Sequence, residues 1–233
     1  MKHIPRFYLK TDLYNGRAVS LYPSQIHHAC TVLRLSPGDK VQVFNLEFGE
    51  WDCEIIDVKK RQVKCISRLR ENREEKGPVV ACSLINPKRF DIFLEKVTEL
   101  GASEIVPIVS QYSNYRDVNL DKAEQKIIQA SEQSQRLSIP VLHRPRGIAD
   151  FLQEYSSNYR VLVGVERCGN RKLWDVIQEK SAFLIGPEGG FSEEEYSLFD
   201  FYENLYKFTL GANVLKSETA AMAFISIWRE KFS

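Results

Sequence analysis

Apolar residues alternate with polar ones in the first third of the chain and gather into unbroken runs in the rest. Residues Trp51 to Val58 and Arg61 to Ser67 alternate with period two, and Val41 to Asn45 follows the turn signal Pro37-Gly38-Asp39. That pattern predicts antiparallel strands. Ahead of them, Ile26, Ala29, Cys30 and Leu33 fall on one face of a helix whose cap would be Ser24. A small β-barrel with one helix is the simplest arrangement of residues 1–70. The stretch from Glu71 to Pro78 is charged, lacks apolar residues and ends in Gly-Pro, which marks a linker over 71–78.

Beyond it, apolar runs of strand length cover Val79 to Ile85, Glu104 to Ser110, Tyr159 to Glu166, Ser181 to Gly186 and Leu205 to Gly211. Helical patterns separate them, at Arg89 to Leu100, Leu120 to Leu137, Ala149 to Tyr155, Glu193 to Phe201 and Ser217 to Phe232. Continuous apolar runs are strands buried on both faces, and their alternation with helices implies a mainly parallel sheet. Residues 79–233 therefore read as an α/β domain.

Composition narrows the class. A chain of 233 residues can hold two modest cores, and with 43% hydrophobic and 27% charged residues it is ordinary for a globular protein. No run of about 18 apolar residues is present, and the N-terminus lacks an apolar stretch after its basic residues, so a mature cytoplasmic protein is expected. Five scattered cysteines, Cys30, Cys53, Cys65, Cys82 and Cys168, form no CxxC pair. They read as reduced core residues rather than as a disulfide framework or a metal site. His27 and His28 have no acidic or cysteine partner at ligand spacing and read as helix surface or barrel packing. Residues 1–70 hold 12 Lys/Arg against 7 Asp/Glu, leaving 20 against 24 for the remainder, so a net +5 precedes a net −4. A basic first module suits an RNA-docking face.

In open α/β sheets ligands sit beyond the carboxyl ends of the strands, which directs attention to the loops after Glu166, Gly186 and Gly211. Gly186-Pro187-Glu188-Gly189-Gly190 leads into a helix opened by a Ser192/Glu195 capping box. Neither G-x-x-x-x-G-K-[ST] nor G-x-G-x-x-G is present, and Glu188, Glu193, Glu194 and Glu195 would repel a polyphosphate. A ligand with little negative charge, or with a positive centre, suits this loop better. After Gly211, a short turn reaches Ser217, which caps the last helix with Glu218 in its first turn.

The segments LIGPEGGFS (Leu184 to Ser192) and LGANVLKSETAA (Leu210 to Ala221) resemble the two C-terminal motifs of the SPOUT superfamily of RNA methyltransferases, and specifically of its ribosomal RNA small-subunit methyltransferase E family. Three further blocks resemble that family in the same order: His27 to Val41, Lys88 to Ser110 and Ala130 to Leu142. The resemblance implies a PUA-like RNA-binding barrel, a C-terminal domain with a trefoil knot, and a homodimer. It also implies methylation of N3 of a uridine in small-subunit (16S) ribosomal RNA, with S-adenosylmethionine as methyl donor and no metal. The chain departs from the family pattern at Tyr112, Asn213 and Lys216, where arginine is usual.

On that resemblance the methyl donor is expected against Gly164, Ile185, Gly186, Pro187, Glu188, Gly190, Leu210, Gly211, Val214 and Leu215. Asn213 and Lys216 are expected to orient the uracil, while Glu218 fixes the turn or accepts the proton. RNA contacts are expected at Arg6, Arg17, Arg34, Lys88, Arg116 and Arg136. Two rivals stay open: a related methyltransferase acting on another nucleoside, and a ribosome-assembly RNA-binding protein without activity.

Overall fold

A computed structural model describes residues 4–73, 75–165 and 172–232. The chain divides into two compact units, one of residues 1–75 with 131–139, the other of residues 76–130 with 140–233. The division falls inside the charged stretch, between Glu75 and Lys76. The return of 131–139 to the first unit breaks the expected continuous order of domains.

The first unit is a five-stranded sheet of β1 (Arg6–Tyr8), β2 (Ala18–Ser20), β3 (Lys40–Asn45), β4 (Gly49–Asp57) and β5 (Gln62–Arg70), in the order β1-β3-β4-β5-β2. The sheet wraps one core, to which Phe7, Val19, Val41, Val43, Cys53 and Val63 contribute. The two edge strands, β1 and β2, are three residues each and too short to leave a periodic signal. Helix α1 (Pro23–His27) is capped at Tyr22, two residues before the expected cap. Pro23 occupies its first turn, where a missing N–H costs nothing, and the Gln25 side chain accepts from the Tyr22 N–H at 3.0 Å. The helix then widens into a π-helical turn over His28–Val32. Arg34, exposed with φ 57°, follows it.

A buried charge cluster closes this unit. Arg6 is 8% exposed and lies over the Phe44 ring, 4.2 Å from its centroid. Its Nε donates to Glu50 at 2.5 Å, its Nη1 to the carbonyls of Ser131 (3.2 Å) and Glu132 (2.9 Å), and its Nη2 to the carbonyl of Arg136 (3.0 Å). Arg70 takes the other oxygen of Glu50 and donates to the Gln135 carbonyl at 3.0 Å. These carbonyls belong to the end of α3 (Leu120–Gln133) and the residues just past it. Carbonyls at a helix C-terminus lack partners within the helix and carry partial negative charge, so two guanidiniums suit them. Arg136, 7% exposed, bonds Glu75 and Ser138. Glu75 in turn accepts from the N–H groups of Leu137 and Ser138. The expectation that Arg6 and Arg136 meet RNA is therefore corrected: both are buried, with their donors directed at their own unit.

The second unit is built on β6 (Val79–Ser83), α2 (Pro87–Glu99), β7 (Glu104–Val109), β8 (Val141–Leu142), β9 (Arg146–Gly147), α4 (Ile148–Tyr155), β10 (Arg160–Gly164), α5 (Leu173–Val176), β11 (Ser181–Ile185), α6 (Glu193–Phe199), β12 (Leu205–Phe208) and α7 (Ser217–Phe232). The strands run in the order β12-β10-β11-β6-β7-β8, with β9 also on β7, and every pairing is parallel. Alternate residues face opposite sides. Val79, Ala81, Val161, Val163, Ala182 and Leu184 pack with Phe151, Leu152 and Phe199 of α4 and α6. On the other face Phe183 stacks on Phe224 of α7 with ring centroids 4.6 Å apart, and α2 packs against α7. The parallel sheet flanked by helices agrees with the sequence pattern. Helices α2 and α4 begin slightly earlier than read, and α3 and α6 stop short.

Candidate functional site

Strands β10, β11 and β12 end level with one another: Gly164 pairs with Ile185 on one side and with Phe208 on the other. The segments leaving those ends enclose a cavity of about 720 Å³. Its lining includes Gly164, Ile185, Gly186, Pro187, Glu188, Gly190, Leu210, Asn213, Val214, Leu215 and Lys216. Those eleven residues are nine of the ten expected donor contacts together with two of the three expected catalytic ones. Gly211 and Glu218 are not on the lining, and Glu166, with Cys168, lies outside the described residues.

The floor is aromatic. Phe224 of α7 meets Phe208 edge-on with centroids 4.4 Å apart, and a Cβ on Gly164 would come within 3.4 Å of the Phe224 ring. The wall is the loop after β11, held by the Ser192/Glu195 capping box as the sequence indicated. Glu195 also accepts from the Gln111 N–H at 2.8 Å, tying that loop to the segment after β7. Gly190 (φ 73°) and Gly211 (φ 116°) sit in the left-handed region that side chains disfavour. No protein atom lies within 4 Å of a Cβ built on either, so their backbone angles and not crowding require glycine. Ser217 Oγ donates to the Gly186 carbonyl at 3.0 Å and stitches the two loops together.

Arg89 completes the site, and sequence reasoning missed it. Asn86 caps α2 by accepting from the Lys88 N–H at 3.0 Å, and Pro87 follows, which places Arg89 in the first turn. Its Nε reaches both oxygens of Glu218 (3.1 and 3.2 Å), its Nη2 donates to Glu218 at 2.6 Å, and its Nη1 donates to Glu188. One side chain thus joins the first turn of α2, the glycine loop and the first turn of α7. No local motif signals it, because Glu188 and Glu218 lie 99 and 129 positions away.

The electrostatics follow from this clasp. Burial, the largest single influence, would raise the Glu218 carboxyl, but the hydrogen bonds from Arg89 and from its own backbone, with the positive charges of Arg89 and Lys216, together outweigh it, and Glu218 is held below the usual carboxylate range. A carboxylate that is 8% exposed, ionised and bound through both oxygens is a poor proton acceptor. Of the two roles expected for Glu218, its geometry fits fixing the turn. Asn213 and Lys216 are exposed at the cavity, as are the apolar Val214 and Leu215, 71% and 37% exposed. Arg17 packs on Tyr14, Lys88 is exposed beside Arg89, and Arg116, exposed, reaches the Gln111 carbonyl at 3.4 Å without joining the cavity lining. Tyr112 Cβ lies 3.2 Å from where a Gly189 Cβ would stand.

A family model for the RNA methyltransferase domain matches residues 73–229, and one for the RNA methyltransferase PUA domain matches residues 21–66. The chain is 27% identical over 228 residues to the ribosomal RNA small subunit methyltransferase E of Rickettsia conorii, covering 95% of this chain and 93% of the relative. The protein of that name from Bacillus subtilis is 27% identical over 238 residues, with 93% and 91% covered. Among solved structures, the ribosomal RNA small subunit methyltransferase E of Neisseria gonorrhoeae bound to S-adenosylmethionine superposes with a TM-score of 0.86 at 26% identity, covering 99% of this chain and 100% of that one. With matches that take in both units, this chain belongs to the RNA methyltransferase family typified by the small-subunit methyltransferase E proteins, and carries that family's PUA-like domain ahead of its α/β domain.

Proposed function

We propose that this protein transfers the methyl group of S-adenosylmethionine to N3 of a uridine in small-subunit ribosomal RNA. The observation that carries the reading is the cavity at the level ends of β10, β11 and β12, whose described lining includes nine of the ten residues expected around the methyl donor. The donor set fits the group. A volume of about 720 Å³ is ample for a ligand of that size, and the missing side chain at Gly164 leaves the aromatic floor open to a flat ring. Glu188 supplies negative charge for a cationic ligand. Bound there, S-adenosylmethionine supplies an electrophilic methyl on a sulfonium.

The chain's own contribution is orientation and charge placement. The backbone of Ile185 to Gly190 and of Leu210 to Leu215 would hold the donor. Asn213 and Lys216 would donate to the two uracil oxygens flanking N3, where negative charge gathers as the imide proton leaves, so their bonds strengthen in the transition state. Glu218 serves through Arg89 as a positioning residue. Half-buried Arg17 and the exposed Arg34, Lys88 and Arg116 are the RNA contacts retained from the six first expected, and a target base has to leave any stack or pair to reach the cavity. A homodimer in the cytoplasm accompanies this reading, and no described helix is long and apolar enough to cross a membrane.

The test is mass spectrometry of ribosomal RNA from a deletion strain. Loss of one N3-methyluridine, restored by the wild-type gene, is expected; loss of a different modified nucleoside moves the assignment to another target base, and an unchanged nucleoside profile removes the enzymatic reading. Calorimetry separates donor binding from chemistry: Gly190→Val should abolish S-adenosylmethionine binding while circular dichroism stays unchanged. Wild-type affinity in that variant would take the loop out of the site.

A further inference from the structure

Cys53 on β4 and Cys65 on β5 are 1% and 0% exposed, and their sulfurs lie 3.6 Å apart. They are direct cross-strand partners in the antiparallel pairing of the first unit. The Cys65 N–H donates to the Arg17 carbonyl at 2.8 Å, and the Cys65 carbonyl accepts from the Gly16 N–H at 2.9 Å, both on the side away from β4. Cys53 and Cys65 are therefore a non-hydrogen-bonded pair, the kind in which antiparallel strands bring opposed Cα atoms to about 4.5 Å and side chains closest together. That spacing lies inside the range a disulfide spans, so the bond can close without moving the strands apart.

We propose that Cys53 and Cys65 are a reversible disulfide site, closed by a peroxide-class oxidant. The two sulfurs are not bonded to each other in the structure. Cys65 is the first nucleophile: the hydrogen bond it accepts from Cys53 holds its thiol lower against the opposing effect of burial, while the same bond raises Cys53. The Cys65 thiolate attacks one oxygen of hydrogen peroxide, the O–O bond breaks, and the departing hydroxide takes up a proton to leave as water. The Cys53 sulfur then attacks the resulting sulfenic sulfur and displaces its oxygen as a second water. Two thiols and one peroxide give one disulfide and two waters. Oxidant reaches the pair by local opening of β2, the three-residue edge strand beside β5. The bond ties β4 to β5, and a dithiol reopens it by exchange.

The experiment uses the full-length protein, treated with hydrogen peroxide while circular dichroism reports it folded, then alkylated in denaturant and mapped by mass spectrometry. The expected product is a peptide pair linked through Cys53 and Cys65, lighter by two hydrogens, abundant before Cys82 is modified, and lost on treatment with dithiothreitol. Cys53→Ser and Cys53→Ala each remove the linked species and leave Cys65 as a sulfenic or higher acid. The proposal is overturned if both cysteines still alkylate as free thiols at a dose that oxidises Cys30, or if the link forms only after the protein unfolds. The wild-type measurement stands by itself should either variant fold poorly.

Discussion

Arg6 and Arg89 each hold a glutamate by charge-assisted hydrogen bonds, and each joins segments far apart in sequence, yet their surroundings differ. The side chain of Arg6 is 7% exposed, and its remaining donors end on the carbonyls of Ser131, Glu132 and Arg136. Arg89 is 22% exposed at a cavity and ends on two carboxylates, one from the glycine loop and one from the first turn of α7. The first arrangement has nothing left to offer a ligand. The second keeps charge at an opening and can shift when a ligand arrives. Similar chemistry is thus scaffold in one unit and part of the site in the other, and what separates the roles is where the partners sit.

The sharpest way to break that comparison is to remove one member of each cluster. Glu50→Ala takes from buried Arg6 the carboxylate it bonds and leaves it the weaker influence of Glu132, and losing one partner of a buried pair typically costs about 3–5 kcal/mol. Urea unfolding of the variant should therefore give a lower midpoint, equivalent to a loss of that size in unfolding free energy, with methyl-donor affinity intact wherever the protein is folded. A loss below about 1 kcal/mol would place the Arg6 cluster with ordinary surface pairs. Arg89→Ala should do the reverse. Its stability loss should be the smaller of the two, because Glu188 is exposed and Glu218 keeps Lys216 nearby, but releasing both carboxylates lets the glycine loop and the first turn of α7 shift, and a misplacement of about 1 Å can lower turnover by about 100-fold. Arg89→Lys should recover only part of this, since an ammonium cannot reproduce the fork that spans both carboxylates. Full recovery by lysine, or unchanged kcat in the alanine variant, would make the clasp ornamental.

What the sequence conveyed follows the same division. The parallel sheet was legible because strands buried on both faces are unbroken apolar runs, such as Val79 to Ser83 and Ser181 to Ile185, both buried throughout. The glycine loop was legible because Gly186, Gly189 and Gly190 lie within five residues. Long-range pairing was not. Nothing local told that Arg6 caps the end of a helix about 130 residues on, that residues 131–139 return to the first unit, or that Arg89 reaches Glu218. Arg6 and Arg136 were expected to meet RNA because neither a charge count nor a resemblance reports burial, and both are buried. The Cys53–Cys65 contact was equally invisible, since it depends on strand register and not on spacing.

Lys216 sharpens the comparison from the ligand side. It is exposed at the cavity and close enough to Glu218 to help keep that carboxyl low, whereas the partner proposed for it is the uracil. Lys216→Ala should lower turnover by about ten-fold with methyl-donor affinity nearly unchanged, as expected for a donor that acts mainly in the transition state. Reduced affinity with unchanged kcat would instead place Lys216 with the donor-binding residues. Asn213→Ala should act in the same direction.

The smallest expected effect tests whether the clasp contributes to folding at all. Glu218 has a folded carboxyl below its unfolded value, so its contribution to stability is complete above the unfolded carboxylate range, near about 4.3, and is lost as pH falls through the lower folded value. Glu218→Gln cannot ionise and lacks that dependence. At neutral pH wild type should therefore be the more stable protein, by no more than about 1 kcal/mol because Arg89 keeps Glu188 as a second partner. The two curves should converge as the pH drops below the carboxylate range, and urea midpoints measured in steps from neutral to strongly acid solution report this directly. A gap that persists undiminished in acid would mean that the glutamine is tolerated poorly for reasons of shape, and Glu218 would then hold the first turn of α7 by packing and not by its charge.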